Sequence, residues 1–158
     1  WANLGLLLSD KKSYDEARTA LAKAVEVDPR YAAAWGGLGR VELRRKQPVA
    51  AVDALARARK LDAKNPTFAA DLCKAEVDRD PVGPEGPKQC RAALGLEPDN
   101  ALARYMLGKT LVARGECAAA KVEVSRFLSL ASVKPEAKSG AEALLATCKP
   151  GAKQVPPK

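Results

Sequence analysis

WANLGLLLSDKKSYDEARTALAKAVEVDP, residues 1–29, and WGGLGRVELRRKQPVAAVDALARARKLDA, residues 35–63, follow one pattern. At a shift of 34 positions Trp1 falls on Trp35, Leu4 on Leu38, Gly5 on Gly39, Ala17 on Ala51, Leu21 on Leu55 and Ala24 on Ala58. Matches at small and large residues alike, in one register, mark a repeated structural unit rather than a shared composition. Each unit is too long, and too rich in Ala, Leu, Lys and Arg, to be a strand, so it reads as a pair of helices. Gly5 and Gly39 leave room for close approach to the small residues Ala17 and Ala51, which makes the pair an antiparallel hairpin. Trp1, Leu4 and Leu8, spaced i, i+3, i+7, are expected to form its buried stripe.

Working outward, the same slots recur at Leu107, Gly108, Gly115, Cys117, Ala120, Val124 and Phe127. Between these copies lies a degenerate one, in which Leu72 and Cys73 replace Leu-Gly. Its turn, Asp80 to Pro87, carries one extra residue before Cys90, Ala93 and Pro98 restore the frame, and its second helix is expected to be short or bent. Helix starts are fixed independently by Asn65-Pro66, Gln47-Pro48 and Lys134-Pro135, with Ser13-x-x-Glu16 reading as a capping box. Nine helices are expected, near 1–10, 14–27, 31–45, 48–61, 66–79, 85–95, 100–114, 117–130 and 135–148.

The pattern Trp-x2-Leu-Gly, a large residue nine positions later, Ala-x3-Leu-x2-Ala and a closing proline resembles the tetratricopeptide repeat (TPR); Trp1, Leu4, Gly5, Tyr14, Ala17, Leu21, Ala24 and Pro29 fill it completely. The resemblance implies an all-α solenoid, a right-handed superhelix of about four hairpins over residues 1–30, 31–64, 65–99 and 100–132. Residues 135–148 would be the capping helix and 149–158 a Pro/Lys-rich tail or linker. Because the chain starts at the Trp slot, with Leu6, Leu7 and Leu8 adding apolar surface, it is expected to be part of a longer array and to dimerise through that face or fray there.

The resemblance also implies function: non-enzymatic binding of a partner peptide or helix in the concave groove, as a scaffold or an assembly factor of a bacterial envelope complex. The alternative is a docking or regulatory arm of a larger multidomain enzyme. The residue after the Gly slot of each hairpin, Leu6, Arg40, Lys74 and Lys109 in order, is expected to face the groove. Arg44 would extend the cationic wall, and Leu102, Tyr105 and Met106 would form an apolar floor suited to an acidic or C-terminal segment. The TPR subtype that grips the acidic C-termini of heat-shock chaperones is rejected, because its Lys and Asn slots hold Ala2, Leu6, Gly37, Thr67 and Asp71.

Composition narrows the chemistry. There is no histidine, so the commonest general base and metal ligand are missing and with them Ser-His and Cys-His catalysis. No enzyme activity, cofactor or metal is expected. Gly36-Gly37-Leu38-Gly39 follows no strand and is not a phosphate loop. Asp71, Glu76 and Asp78 read as carboxylates on solvated helix faces. The cations behind the net charge of +8 are spread over the helices that follow the first, with few aromatics, which speaks against nucleic acid, and no apolar run reaches the length of a membrane span. In an antiparallel hairpin, residues whose midpoint falls on the turn share one height. Cys73 with Cys90 and Cys117 with Cys148 meet that test, whereas Cys90 with Cys117 would centre inside a helix. Two disulfides would indicate a periplasmic or extracellular location; buried free thiols, with a cytoplasmic location, are the alternative.

Overall fold

The computed structural model describes residues 1–149, which hold nine helices and no strand. They are α1 (Ala2–Asp10), α2 (Tyr14–Val27), α3 (Ala32–Arg44), α4 (Pro48–Leu61), α5 (Pro66–Arg79), α6 (Glu85–Leu96), α7 (Ala101–Ala113), α8 (Cys117–Ser129) and α9 (Pro135–Ala146). Pro48, Pro66 and Pro135 occupy first-turn positions where a missing N–H is harmless. Asn65 caps α5 by accepting from the N–H groups of Thr67 and Phe68, and Asn100 caps α7 by accepting from Ala103. The capping box expected at Ser13 does not form: its side chain makes no capping hydrogen bond. The helix α6 is two residues shorter than α2 and α4 but continuous. The expected tail, apart from Lys149, lies outside the described residues.

Three of the hairpin turns are built alike. Lys12, Lys46 and Gly115 have φ of 63°, 59° and 72°, and each ends its helix in the left-handed conformation. The following N–H then reaches back to close the helix, Ser13 to Leu8, Gln47 to Glu42 and Glu116 to Leu111, each at 2.9 Å. The turn after α5 departs because Pro81 forces the residue before it into extended backbone, so Asp80 ends the helix at φ −145°. Its carboxylate instead accepts from the N–H groups of Val82 and Gly83. This is the physical content of the extra residue.

The helices form two rows. The backbones of successive members approach closely along the row α1, α3, α5, α7, α9, whereas those of α2, α4, α6, α8 stay apart and α4 meets α6 through long side chains, Arg59 donating to Gln89 at 3.1 Å. The first row is therefore the tight, concave side of an α-solenoid and the second the splayed, convex side. Buried clusters run along the stack, from Ala17, Leu21 and Val41 through Val52, Leu55 and Leu72 to Val77, Leu107 and Leu111, ending at Val124, Phe127 and Ala141 under α9. Close approach is literal: a Cβ on Gly39 would sit 2.4 Å from Leu55 Cγ, one on Gly5 2.5 Å from Leu21 Cγ, and one on Gly108 2.8 Å from Val124 Cγ2. The glycines thus meet the branched residue one turn beyond Ala17, Ala51 and Ala120, which are themselves fully buried. The stripe expected on α1 is corrected: Trp1 is 64% and Leu4 45% exposed. The contacts of α1 are with α2 and α3 alone, and these cover its Gly5 and Leu8 side.

Candidate functional site

A groove of about 720 Å³ opens on the concave side across α3, α5 and α7. Arg40, Leu43 and Arg44 come from α3, Lys46 from the turn after it, Pro48 from the start of α4, Asp71, Lys74 and Asp78 from α5, and Leu102 from α7. The one-turn spacing of Arg40 and Arg44 places them one above the other, and the spacing of Asp71, Lys74 and Asp78 does the same on α5. Of the residues expected to line the groove, Arg40, Arg44, Lys74 and Leu102 meet there. Lys109 contributes through Asp78, which it reaches at 3.2 Å.

Tyr105 lies instead in an adjoining cleft of about 490 Å³ with Phe127, Val133 and Ala137, where α7 faces α8, the following loop and α9. The rings of Tyr105 and Phe127 are tilted at 45° with centroids 5.4 Å apart. Leu102 lines both cavities and joins them. Met106 is no part of either; it is 3% exposed and packs in the core. Leu6 does not line the groove but meets α3 at Gly37, where its Cδ2 would lie 3.0 Å from an added Cβ.

The groove has an uneven charge pattern. Lys74 and Lys109 both bind Asp78. Asp71 has Arg40 as its one ion-pair partner among the described residues, with Nε to Oδ2 at 3.9 Å, and that oxygen has no hydrogen-bond partner there. The solvated-face reading of the acids is corrected here: Asp71 is 9% and Glu76 7% exposed. Burial raises the Asp71 carboxyl above its ordinary pKa, against the opposing pull of Arg40, Lys74 and Arg44. Burial likewise raises Glu76, which pairs with Arg79. Among the described residues Arg44 and Lys46 enter no ion pair, so the groove carries an excess of uncompensated positive charge.

Lys46 was not singled out from sequence; its signal is its place at the end of α3, one turn beyond Leu43 and beside the Gln47-Pro48 helix start. The burial of Asp71 had a signal too. Gly37, Asp71 and Met106 occupy one repeat slot, the position before the Leu of Leu-Gly, and all three are buried. Gly37 faces Leu6 and Leu21 of the preceding hairpin, so this slot is turned toward the neighbouring repeat, and at Asp71 it also borders the groove.

All four cysteines are joined, Cys73 to Cys90 between α5 and α6, and Cys117 to Cys148 between the start of α8 and the segment just past α9. Cys73 and Cys90 are fully buried, whereas Cys117 and Cys148 are half-buried. Two such pairs are compatible with an oxidising compartment. Among the described residues no helix is long and apolar enough to cross a membrane, and no group of acidic or cysteine side chains is arranged to hold a metal ion.

Residues 3–66 match the tetratricopeptide repeat family model. No protein among those with curated functions matches the sequence significantly. Among solved structures, a crystal structure of MamA superposes with a TM-score of 0.73 at 20% identity, covering 91% of each chain. YrrB, described as a TPR protein with an unusual peptide-binding site, gives 0.69 at 23% identity over 91% of this chain and 74% of its own. PilF of Pseudomonas aeruginosa gives 0.77 at 22% identity over 92% of this chain and 66% of its own. At these identities the likeness establishes the fold.

Proposed function

We propose that this chain, a TPR α-solenoid with family-matched repeats at residues 3–66, is a non-enzymatic protein-interaction scaffold. Its repeats would divide near 1–30, 31–64, 65–99 and 100–132, with α9 as the cap. Its concave groove holds an acidic segment of a partner protein. The observation that carries the reading is the groove across α3, α5 and α7, where Arg40, Arg44, Lys46 and Lys74 outnumber Asp71 and Asp78. Cations of this kind steer and orient an acidic partner, while an apolar side chain gains burial in the adjoining cleft beside Tyr105 and Phe127. The peptide-binding site named for YrrB, a protein of the same fold, supports this direction. The two disulfides support a periplasmic or extracellular setting, where an assembly role in a bacterial envelope would be exercised. The exposed Trp1, Leu4 and Leu7 of α1 support self-association through that face, which light scattering reads as a dimer mass.

The test uses a fluorescent acidic peptide carrying one leucine, followed by anisotropy. Because Lys74 and Lys109 are held by Asp78, the informative reversal is Arg44→Glu with Lys46→Glu, the two cations without ion pairs. Binding is expected to weaken at least tenfold and to lose most of its salt dependence, and Tyr105→Ala to weaken it severalfold with the salt dependence intact. Unchanged affinity in both variants, each folded by circular dichroism, would move the site off the concave face.

A further inference from the structure

Asp71 is the groove's unexplained residue. Asp78, two turns further along α5, is occupied by Lys74 and Lys109, whereas Asp71 Oδ2 is buried with no donor and with Arg40 Nε 3.9 Å away. A buried acceptor left without a donor costs about 1–3 kcal/mol, more when it is charged. A site for anions alone would be better with a neutral or basic residue in this slot. The donor that Asp71 lacks can be brought by the occupant. In a helix the backbone N–H groups beyond the first turn are consumed internally, whereas an extended chain carries them free and needs an acceptor for each one it buries.

We infer that Asp71 is a specificity-determining residue that selects the partner segment in extended form by turning its carboxylate, which borders the groove, to accept one of the segment's backbone N–H groups, while Arg40, Arg44 and Lys46 take its acidic side chains. The inference rests on the groove-binding reading above and deepens it. Geometry sets the length. Neighbouring helices pack at about 8–10 Å, so the span from α3 to α7 is about 20 Å, which an extended chain rising about 3.3 Å per residue crosses with about six residues. Side chains alternate along such a chain, so acidic residues at every second position face one wall together. Arg40 and Arg44 on α3 and Lys74 on α5 pull the Asp71 carboxyl toward its charged form, the better acceptor, against the opposing effect of burial.

The experiment measures the affinity of the whole chain for an acetylated, amidated hexapeptide alternating Glu and Val. A series N-methylated at one amide at a time and a lactam-bridged helical peptide of equal charge are measured beside it. One N-methylation is expected to weaken binding about tenfold in the natural protein and less than twofold in Asp71→Ala, with the helical peptide at least tenfold weaker than the extended one. If Asp71→Ala does not fold, Asp71→Asn, which keeps a weaker acceptor, is expected to show a reduced but measurable version of the same coupling. An equal N-methylation penalty in natural and variant proteins, or equal binding of the helical peptide, overturns the role of Asp71 and leaves the groove reading standing. Failure of every acidic peptide to bind removes the groove reading and this inference with it.

Discussion

Gly39→Ala tests whether the repeat's glycine is a packing requirement. The substitution gives α3 a better helix former, worth about 1 kcal/mol in an unconstrained helix interior. The new methyl, however, would stand 2.4 Å from Leu55 Cγ, 3.0 Å from Cδ2 and 3.2 Å from Cδ1. Leu55 is fully buried, and the atom struck is its branch point rather than a flexible end, so α3 and α4 must separate by about 1 Å. Overpacking costs about 1–3 kcal/mol, and a clash at the branch point of a fully buried leucine falls in the upper part of that range, about 2–3 kcal/mol, which outweighs the propensity gain and leaves a net loss of about 1–2 kcal/mol. In a chain of this size that lowers Tm by about 2–8 °C. The control is Gly140→Ala in the middle of α9, where an added Cβ meets nothing within 4 Å. There the propensity gain stands alone and Tm rises by up to about 3 °C. Thermal melts followed by circular dichroism read both signs. Adding Leu55→Ala to Gly39→Ala removes the clash, so the double variant is expected to lose less than the sum of the singles. A Gly39→Ala protein as stable as the natural one, or strict additivity with Leu55→Ala, would refute the argument that this slot sets the helix separation.

Non-reducing mass spectrometry of protein made in an oxidising compartment is expected to find Cys73 linked to Cys90 and Cys117 to Cys148. Replacing each pair by serine is expected to cost about 3 and about 3.7 kcal/mol in the chain-entropy model, and mild dithiothreitol should open the half-buried Cys117–Cys148 bond first. Asp71→Asn should stabilise the protein at neutral pH. Burial raises this carboxyl above 3.8, so folding favours the protonated form, and the penalty for ionising it grows as pH climbs from 3.8 through the raised value. Urea unfolding at about pH 3 and about pH 7 should show the variant's advantage only at the higher pH; equal gains at both would exclude titration as the cause. Lys12→Gly, at φ 63°, is expected to stabilise the first hairpin by about 0.5–1 kcal/mol, and destabilisation would mean the side chain does more than tolerate the turn.

The helices and their pairing were legible because the signals were local: a proline at a first turn, an asparagine before it, a small residue where two helices cross. The two disulfides were legible because hairpin symmetry converts a midpoint in sequence into a shared height. What escaped was set between repeats. Tyr105 and Met106 are adjacent, yet about 100° of helical rotation puts one in a cleft and the other in the core, and the rotation is fixed by how α7 leans on α5 and α9. Asp71 looked like one more charge on a wet face because the slot it shares with Gly37 and Met106 gains its burial from the neighbouring hairpin. Trp1 and Trp35 show the converse. They occupy the same slot, but Trp35 packs on Ala24, Val25 and Leu38, donates its indole N–H to Pro29 and lies 4.7 Å from Arg57, whereas Trp1 stands exposed.

The least regular hairpin is also the one that furnishes the groove's acidic wall, and the two facts are physically connected. Placing Asp71 in an inter-repeat slot gives up the apolar contact that Met106 makes in the next repeat and leaves a carboxylate oxygen without a donor. Pro81 removes the left-handed helix stop that closes the other hairpins. Each departure weakens the α5–α6 pair, and each is offset within the same unit. The Cys73–Cys90 bond ties the two helices through the core, and α7 grips the irregular turn, with Thr110 donating to the Pro81 carbonyl at 2.6 Å and Arg114 to that of Val82 at 2.8 Å. These contacts hold the backbone and leave the α5 side chains that face the groove unchanged. A hairpin stabilised this way can carry a buried acid at its concave surface, whereas one relying on consensus packing alone would fill that slot with an apolar residue and lose the hydrogen-bond acceptor.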